Sequence, residues 1–184
     1  MQWATWGNNI ASSETMNETR HDYFKNDLET LLLPQLVSEV FHVTKVESYE
    51  SILEKGYIDQ NSKGSYPRNW EYNCYGSQRG FVCLFDLRDV QTEVITKYRP
   101  RCDFLYDNRF GSRSAYLLLA KSSYETVIPN RVAVVETGYN EYFVPRLEAW
   151  FPGRLPLEKI DRVLLVKKLN NPSLRPITDK AGFG

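Results

Sequence analysis

Two short stretches hold the side chains best suited to chemistry. In Phe41-His42-Val43-Thr44-Lys45, an apolar strand ending in His-x-Thr places two small polar groups, an imidazole and a hydroxyl, at one edge of a sheet. In Pro145-Arg146-Leu147-Glu148-Ala149-Trp150-Phe151-Pro152-Gly153, a glutamate stands at the head of a strand that a Pro-Gly turn closes. Between them, Lys97 to Arg113 interleaves five basic residues with Tyr and Phe, a mixture able to hold phosphate and stack bases. The same stretch reads as a solvated loop with Asp103 and Asp107 as local partners. Taken alone, His42 is a structural histidine at a strand end and Glu148 a solvated carboxylate; the flanking patterns single them out.

These residues need elements to position them. After Thr44 the chain predicts a turn and a short helix with Tyr49, Ile52 and Leu53 apolar, stopped at Gly56, which suits the left-handed position after a helix. Residues 1–20 are rich in Asn, Ser and Thr without a period and read as an arm or loop anchored by Trp3 and Trp6. From His21 to Val40, the spacing of Tyr23, Phe24, Leu28, Leu31, Leu32 and Leu36 predicts an amphipathic helix interrupted near Pro34. Asp59 to Arg79 reads as a long loop, a length that is usually functional or mobile inside a domain. Gly80 to Asp86 predicts a buried strand; Ala115–Ala120, Arg131–Glu136, Glu141–Val144 and Arg162–Lys167 predict further strands. The expected division is an arm over 1–20, a single domain over 21–170 and a tail over 171–184.

Composition sets outer limits. A chain of 184 residues, 42% hydrophobic and 14% aromatic, can build one core. Its 23 basic and 23 acidic side chains balance, so no global field draws it to nucleic acid or to an anionic membrane. Cys74, Cys83 and Cys102 form an odd set without metal-ligand spacing, which predicts no metal and a reducing cytoplasm. No run approaches the roughly 20 apolar residues of a membrane helix, and the N-terminus lacks a signal-peptide pattern, so no membrane association is expected.

The motifs, in this order, resemble the ADP-ribosyltransferase superfamily. Its members often open on a strand with His-x-Thr, followed by an Ile-Leu pair and a glycine, as in His42-Val43-Thr44 and Ser51-Ile52-Leu53-Glu54-Lys55-Gly56. Arg79-Gly80-Phe81-Val82-Cys83-Leu84-Phe85-Asp86 is similar to the second motif, and Pro145 to Val163 looks like the catalytic-glutamate segment. The resemblance covers about residues 40 to 167 and is to the His-Tyr-Glu branch, the diphtheria-toxin-like, PARP-like and DarT-like enzymes.

That resemblance implies an α+β fold with a split mixed β-sheet core of six or seven strands and flanking helices, and a cleft lined by His42, Thr44 and Glu148. It implies NAD as cofactor, release of nicotinamide, and transfer of ADP-ribose to a macromolecular acceptor, protein or nucleic acid, in toxin or defence biology. Glu148 would be catalytic. His42 would meet the adenosine ribose, the backbone at Val43 the nicotinamide amide, and Thr44 would support that loop. Tyr57, Tyr49 or Tyr75 would cover nicotinamide, and Arg68 or Arg79 would meet the pyrophosphate. Two departures matter. Val82 stands where the poly-ADP-ribosyltransferases place a stacking tyrosine, and Arg146 stands where arginine-modifying members carry Gln or Glu, which argues against an arginine acceptor. The first departure keeps open a non-catalytic nucleotide- or partner-binding module. An RNA 2'-phosphotransferase-like enzyme also begins with a His-x-Thr strand but resembles a His and Arg set without an essential glutamate.

Overall fold

The structure is a computed structural model and describes residues 16–60, 75–98, 102–106, 112–138 and 146–170. Apolar runs bounded by turn residues make most of the strands: β1 (Asn17–Phe24), β2 (Val40–Lys45), β3 (Tyr57–Ile58), β4 (Phe81–Asp86), β5 (Arg113–Leu119), β6 (Ile128–Pro129), β7 (Glu148–Pro152), β8 (Leu155–Pro156) and β9 (Ile160–Leu169). Seven form one sheet in the order β1-β9-β5-β2-β4-β7-β6, and β3 pairs with β8 apart from it. Every pairing is antiparallel except β1 with β9. Short helices complete a mixed α/β fold: α1 (Leu33–Leu36), α2 (Val46–Lys55), α3 (Tyr75–Arg79), α4 (Thr92–Lys97), α5 (Asp103–Tyr106) and α6 (Asn130–Thr137).

Strand alternation sends side chains to two cores. Phe41, Val43, Tyr116, Leu118 and Leu164 bury on one face with Phe104 and Leu105 of α5. Val40, Leu84, Ala115, Leu117 and Val163 bury on the other with Tyr49 of α2. Full burial of such a side chain stabilises by ~1.5–3 kcal/mol. α2 ends as its sequence requires: Gly56 takes φ 77° and its N–H returns to the Ile52 carbonyl at 2.9 Å.

The ladder between β2 and β4 is short. It consists of Val40 opposite Asp86 and Phe41 opposite Phe85, whereas β2 continues along β5 to Lys45. Beyond Phe41 the sheet therefore parts into β1-β9-β5-β2 and β4-β7-β6.

Several expectations are corrected. Residues 17–24 are a strand, not the end of an arm and the start of a helix. Thr19, His21 and Tyr23 are half-buried while Glu18, Arg20 and Asp22 are exposed, a period of two hidden by polar inward residues. Helical turns begin at Lys25, and Leu28, Leu32 and Leu36 bury at a spacing of four. Pro34 lies in the first turn of α1, directly after a π-helical turn over Leu28–Leu32, so the helical run changes its hydrogen-bond pattern beside the proline. Tyr75–Arg79 is a helix within the expected loop, and Arg131–Glu136 belongs to α6 instead of a strand. In α6 Ala133 is buried while Val135 is 85% exposed, so this valine-rich run buries one helical face. The strand expected at Glu141–Val144 lies outside the described residues.

Candidate functional site

His42 stands where the sheet parts. Its ring turns toward β4, and Nδ1 donates to the Cys83 carbonyl at 2.9 Å. A carbonyl only accepts, so Nδ1 carries the hydrogen and Nε2 of the neutral ring is left as an acceptor. Burial pushes the imidazole below its ordinary value, and the Cys83 carbonyl offsets part of that. The side chain is thus neutral near neutral pH. Thr44 is half-buried on the same face, opposite Ala115. Val43 sits between them with its side chain buried on the other face, opposite Tyr116.

Glu148 is the first residue of β7, half-buried and opposite Phe85. Phe85 in turn faces Phe41, so Phe41, Phe85 and Glu148 form one row across three strands. Two strand spacings separate the ends of that row by about 10 Å. The pleat directs Glu148 to the Phe41 face, opposite to His42 and Thr44. The expected single cleft lined by all three side chains is corrected accordingly. His42 and Thr44 share one face, and Glu148 leaves by the other.

Glu148 borders a concavity of about 580 Å³ with Asp86, Asp89, Asn130, Arg131 and Arg146. Asp86 is occupied, since Arg88 meets its two carboxylate oxygens at 2.9 and 2.6 Å. Arg146 holds φ 65°, a left-handed backbone that favours glycine. Arg131 and Asn130 were not singled out from the sequence because this segment reads there as a strand. Pro129 followed by Asn130 is the signal for a helix start that was available.

The remaining expected contacts are committed elsewhere. The Arg154 guanidinium covers the Tyr57 ring at 4.5 Å and pairs with Asp59 at 3.2 Å. Tyr49 is buried in the α2 core, where burial and then Glu18 push its hydroxyl up to about 12. Tyr75 packs on Trp150 with ring centroids 4.5 Å apart and donates to Glu136 at 2.8 Å. Arg79 pairs with that carboxylate at 2.7 Å and lies over Tyr75. As the pyrophosphate ligand it was expected to be, Arg79 would first have to leave α6. Arg68 lies outside the described residues. Val82 is buried in the core, so its strand brings no aromatic ring to that position.

Among the described residues no cluster of three or more His, Cys, Asp or Glu side chains is placed to hold a metal ion, and no helix is long and apolar enough to cross a membrane. Comparison with protein-family models, with curated proteins and with solved structures gives no match.

Proposed function

We propose that this chain is an NAD-dependent mono-ADP-ribosyltransferase acting on a protein or nucleic-acid acceptor. The observation that carries the reading is the parting of β2 from β4, with His42 on one side of the gap and Glu148 two strand spacings away. An extended dinucleotide passing through that gap would have hydrogen-bonding groups along its length. The neutral Nε2 of His42 would accept from a ribose hydroxyl, and Glu148 would accept from the nicotinamide ribose.

The chemistry needs little more from the protein. The bond from ribose C1' to the nicotinamide nitrogen breaks with its electron pair going to nitrogen, so nicotinamide leaves neutral and positive charge develops on the ribose. The fixed Glu148 carboxylate stabilises that charge, an effect that is often the largest in such a site. The acceptor's lone pair then forms the new bond to C1', and its proton passes to solvent.

The test uses NAD labelled on the adenylate phosphate, incubated with the purified chain and a cell lysate. Label should enter protein, DNA or RNA with matching release of nicotinamide, and Glu148→Gln should lower the rate about 100- to 1000-fold. A variant rate within a few-fold of the parent's would return Glu148 to the role of a surface carboxylate.

The opposed directions of His42 and Glu148 favour a second reading, the RNA 2'-phosphotransferase-like one, in which His42 and arginines act without the glutamate. Loss of an internal 2'-phosphate from RNA in the presence of NAD, with Glu148→Gln unaffected, would select it.

A further inference from the structure

The seven-stranded sheet ends on β1, and no strand among the described residues pairs with its outer edge. A strand bonded on one side only leaves alternate N–H and C=O groups facing outward, a row that templates another strand. Proteins blunt such an edge by shortening it, bulging it or adding proline and lysine. The opposite edge, β6, is blunted in this way, with two residues of which one is Pro129. β1 is not. Its eight residues keep unbroken register with β9 and include neither Pro nor Lys. Its exposed charges alternate in sign instead, as Glu18, Arg20 and Asp22. Arg20 pairs with Glu18 at 3.1 Å, whereas Asp22 has no ion-pair partner among the described residues. Apolar exposure gathers beside the same edge. Of five large apolar side chains exposed among the described residues, three border it. Phe24 closes β1, Leu31 lies in the helical turn that Gln35 ties to Tyr23, and Leu53 of α2 lines a concavity of about 370 Å³ with Glu18, Arg20 and Asp22.

We propose that two copies of this chain join antiparallel along β1, across a two-fold axis through His21, so that their sheets run into one. Facing residues of an antiparallel pair share a face, so the axis must pass through a residue and the choice of residue fixes the register. With the axis at Arg20, that arginine would oppose itself and Glu18 would oppose Asp22. With the axis at Asp22, two aspartates would meet. An axis at Thr19 matches Glu18 to Arg20 but pairs only Asn17 to His21 and leaves Phe24 outside. The axis at His21 pairs Glu18 to Phe24 throughout and sets Arg20 of each copy against Asp22 of the other. Arg20 keeps donors to spare for that contact beside its bond to Glu18. The same register brings Phe24 of the second copy opposite Glu18, on the side of the concavity that Leu53 also lines. Charge and apolar exposure thus select one occupant for the edge, and the selection is independent of what reaction the chain performs.

Analytical ultracentrifugation of the full chain over a range of concentrations should show a monomer–dimer equilibrium that weakens as salt is raised. Asp22→Arg turns both opposite-charge contacts into like-charge ones and should raise the dimer dissociation constant about tenfold or more, with an unchanged circular dichroism spectrum. Asp22→Asn adds no cation beside Lys167, its neighbour on β9, and should weaken the dimer a few-fold. Cysteine scanning reads the register directly. A residue on the axis lies about 4.5–5.5 Å from its own copy, Cα to Cα, which is within reach of a disulfide. Oxidised His21→Cys should therefore run as a covalent dimer, while Thr19→Cys, two positions off the axis, should give no more than the background set by the parent's own cysteines. Covalent dimer through Thr19→Cys in place of His21→Cys, or a dimer that Asp22→Arg leaves intact, would overturn the proposal. A monomer at every concentration would overturn it too, and would mean that the charges of β1 protect the edge instead of pairing it.

Discussion

The two sides of the sheet are built on different terms. β5 and β9 share seven residue pairs and β2 and β5 share five, whereas β2 and β4 share two. In the first region the ladder satisfies the backbone and the side chains merely fill the faces. At the β2–β4 junction backbone bonds between Leu87 and both Ser38 and Glu39 extend the short ladder, and side chains share in both tasks. His42 donates to the Cys83 carbonyl, and the Tyr124 hydroxyl accepts the Val40 N–H at 3.3 Å. Phe41 meets the rings of Phe85, Phe104 and Tyr116 with centroids 5.7, 5.4 and 6.0 Å away. Glu39, just before β2, accepts from Tyr124 at 2.8 Å and from Arg162 of β9 at 3.3 Å. A ladder that stops early exposes polar backbone that must find other partners, and such an edge is where a polar ligand can enter without breaking sheet hydrogen bonds.

The contrast is broken most severely at Phe41. Phe41→Ala removes a fully buried ring at the junction and should cost about 3–5 kcal/mol in urea unfolding. The location of the damage matters as much as its size. Hydrogen exchange should quicken along β4 and β7 and stay slow along β5 and β9, because a long ladder ties β9 to β5 and β5 to β2, whereas the block of β4 and β7 joins β2 only through a short ladder and the Phe41 and Phe85 rings. Uniform quickening across all four strands would mean that the sheet opens as one unit.

A smaller effect is expected on the β4–β7 side. A Cβ at Gly76 in α3 would sit 2.6 Å from Trp150 Cδ1 and 2.9 Å from Cys83 Sγ, closer than packed atoms tolerate. Gly76→Ala should therefore cost about 1–3 kcal/mol by overpacking. Trp150 fluorescence should change with it as α3 lifts. An unchanged melting temperature and spectrum would show that α3 does not rest on Trp150.

The same contrast explains what the sequence made legible. Strands β2, β4, β5 and β9 are apolar runs, and the turn after β7 follows Pro152-Gly153, where Gly153 holds φ 72°. Each carries its signal locally. The edge strand β1 does not, because its inward positions are Thr19, His21 and Tyr23 and it is held by backbone pairing with β9. In α6, the β-branched residues of Arg131–Glu136 have strand propensity, yet Ala133 packing beside Tyr75 and Trp150 makes the segment helical; contacts distant in sequence override a weak local preference. The site followed the same division. The strand that carries His42 and the place of Glu148 at a strand head were legible, whereas His42 lies within β2 instead of at its end, and the faces depend on register across β4, which no local pattern encodes. Arg79 was visible as a cation, and its partner Glu136 was hidden by the strand assignment.

The finest test of the junction is titration of His42, whose effect should be the smallest of the three. Burial holds the folded imidazole below its ordinary value, while in the unfolded chain it titrates near about 6.5. Between those two values the unfolded state binds a proton that the folded state does not, so stability rises with pH. The contribution is fully present above about 6.5 and is lost as pH falls through the folded value. His42→Gln keeps an amide donor for the Cys83 carbonyl and removes the titration. Melting curves of the parent should fall on acidification across this window, and those of His42→Gln should fall less. Parallel curves would show that the histidine is equally hydrated in both states, and the junction at His42 would then be open to water instead of closed over the ring.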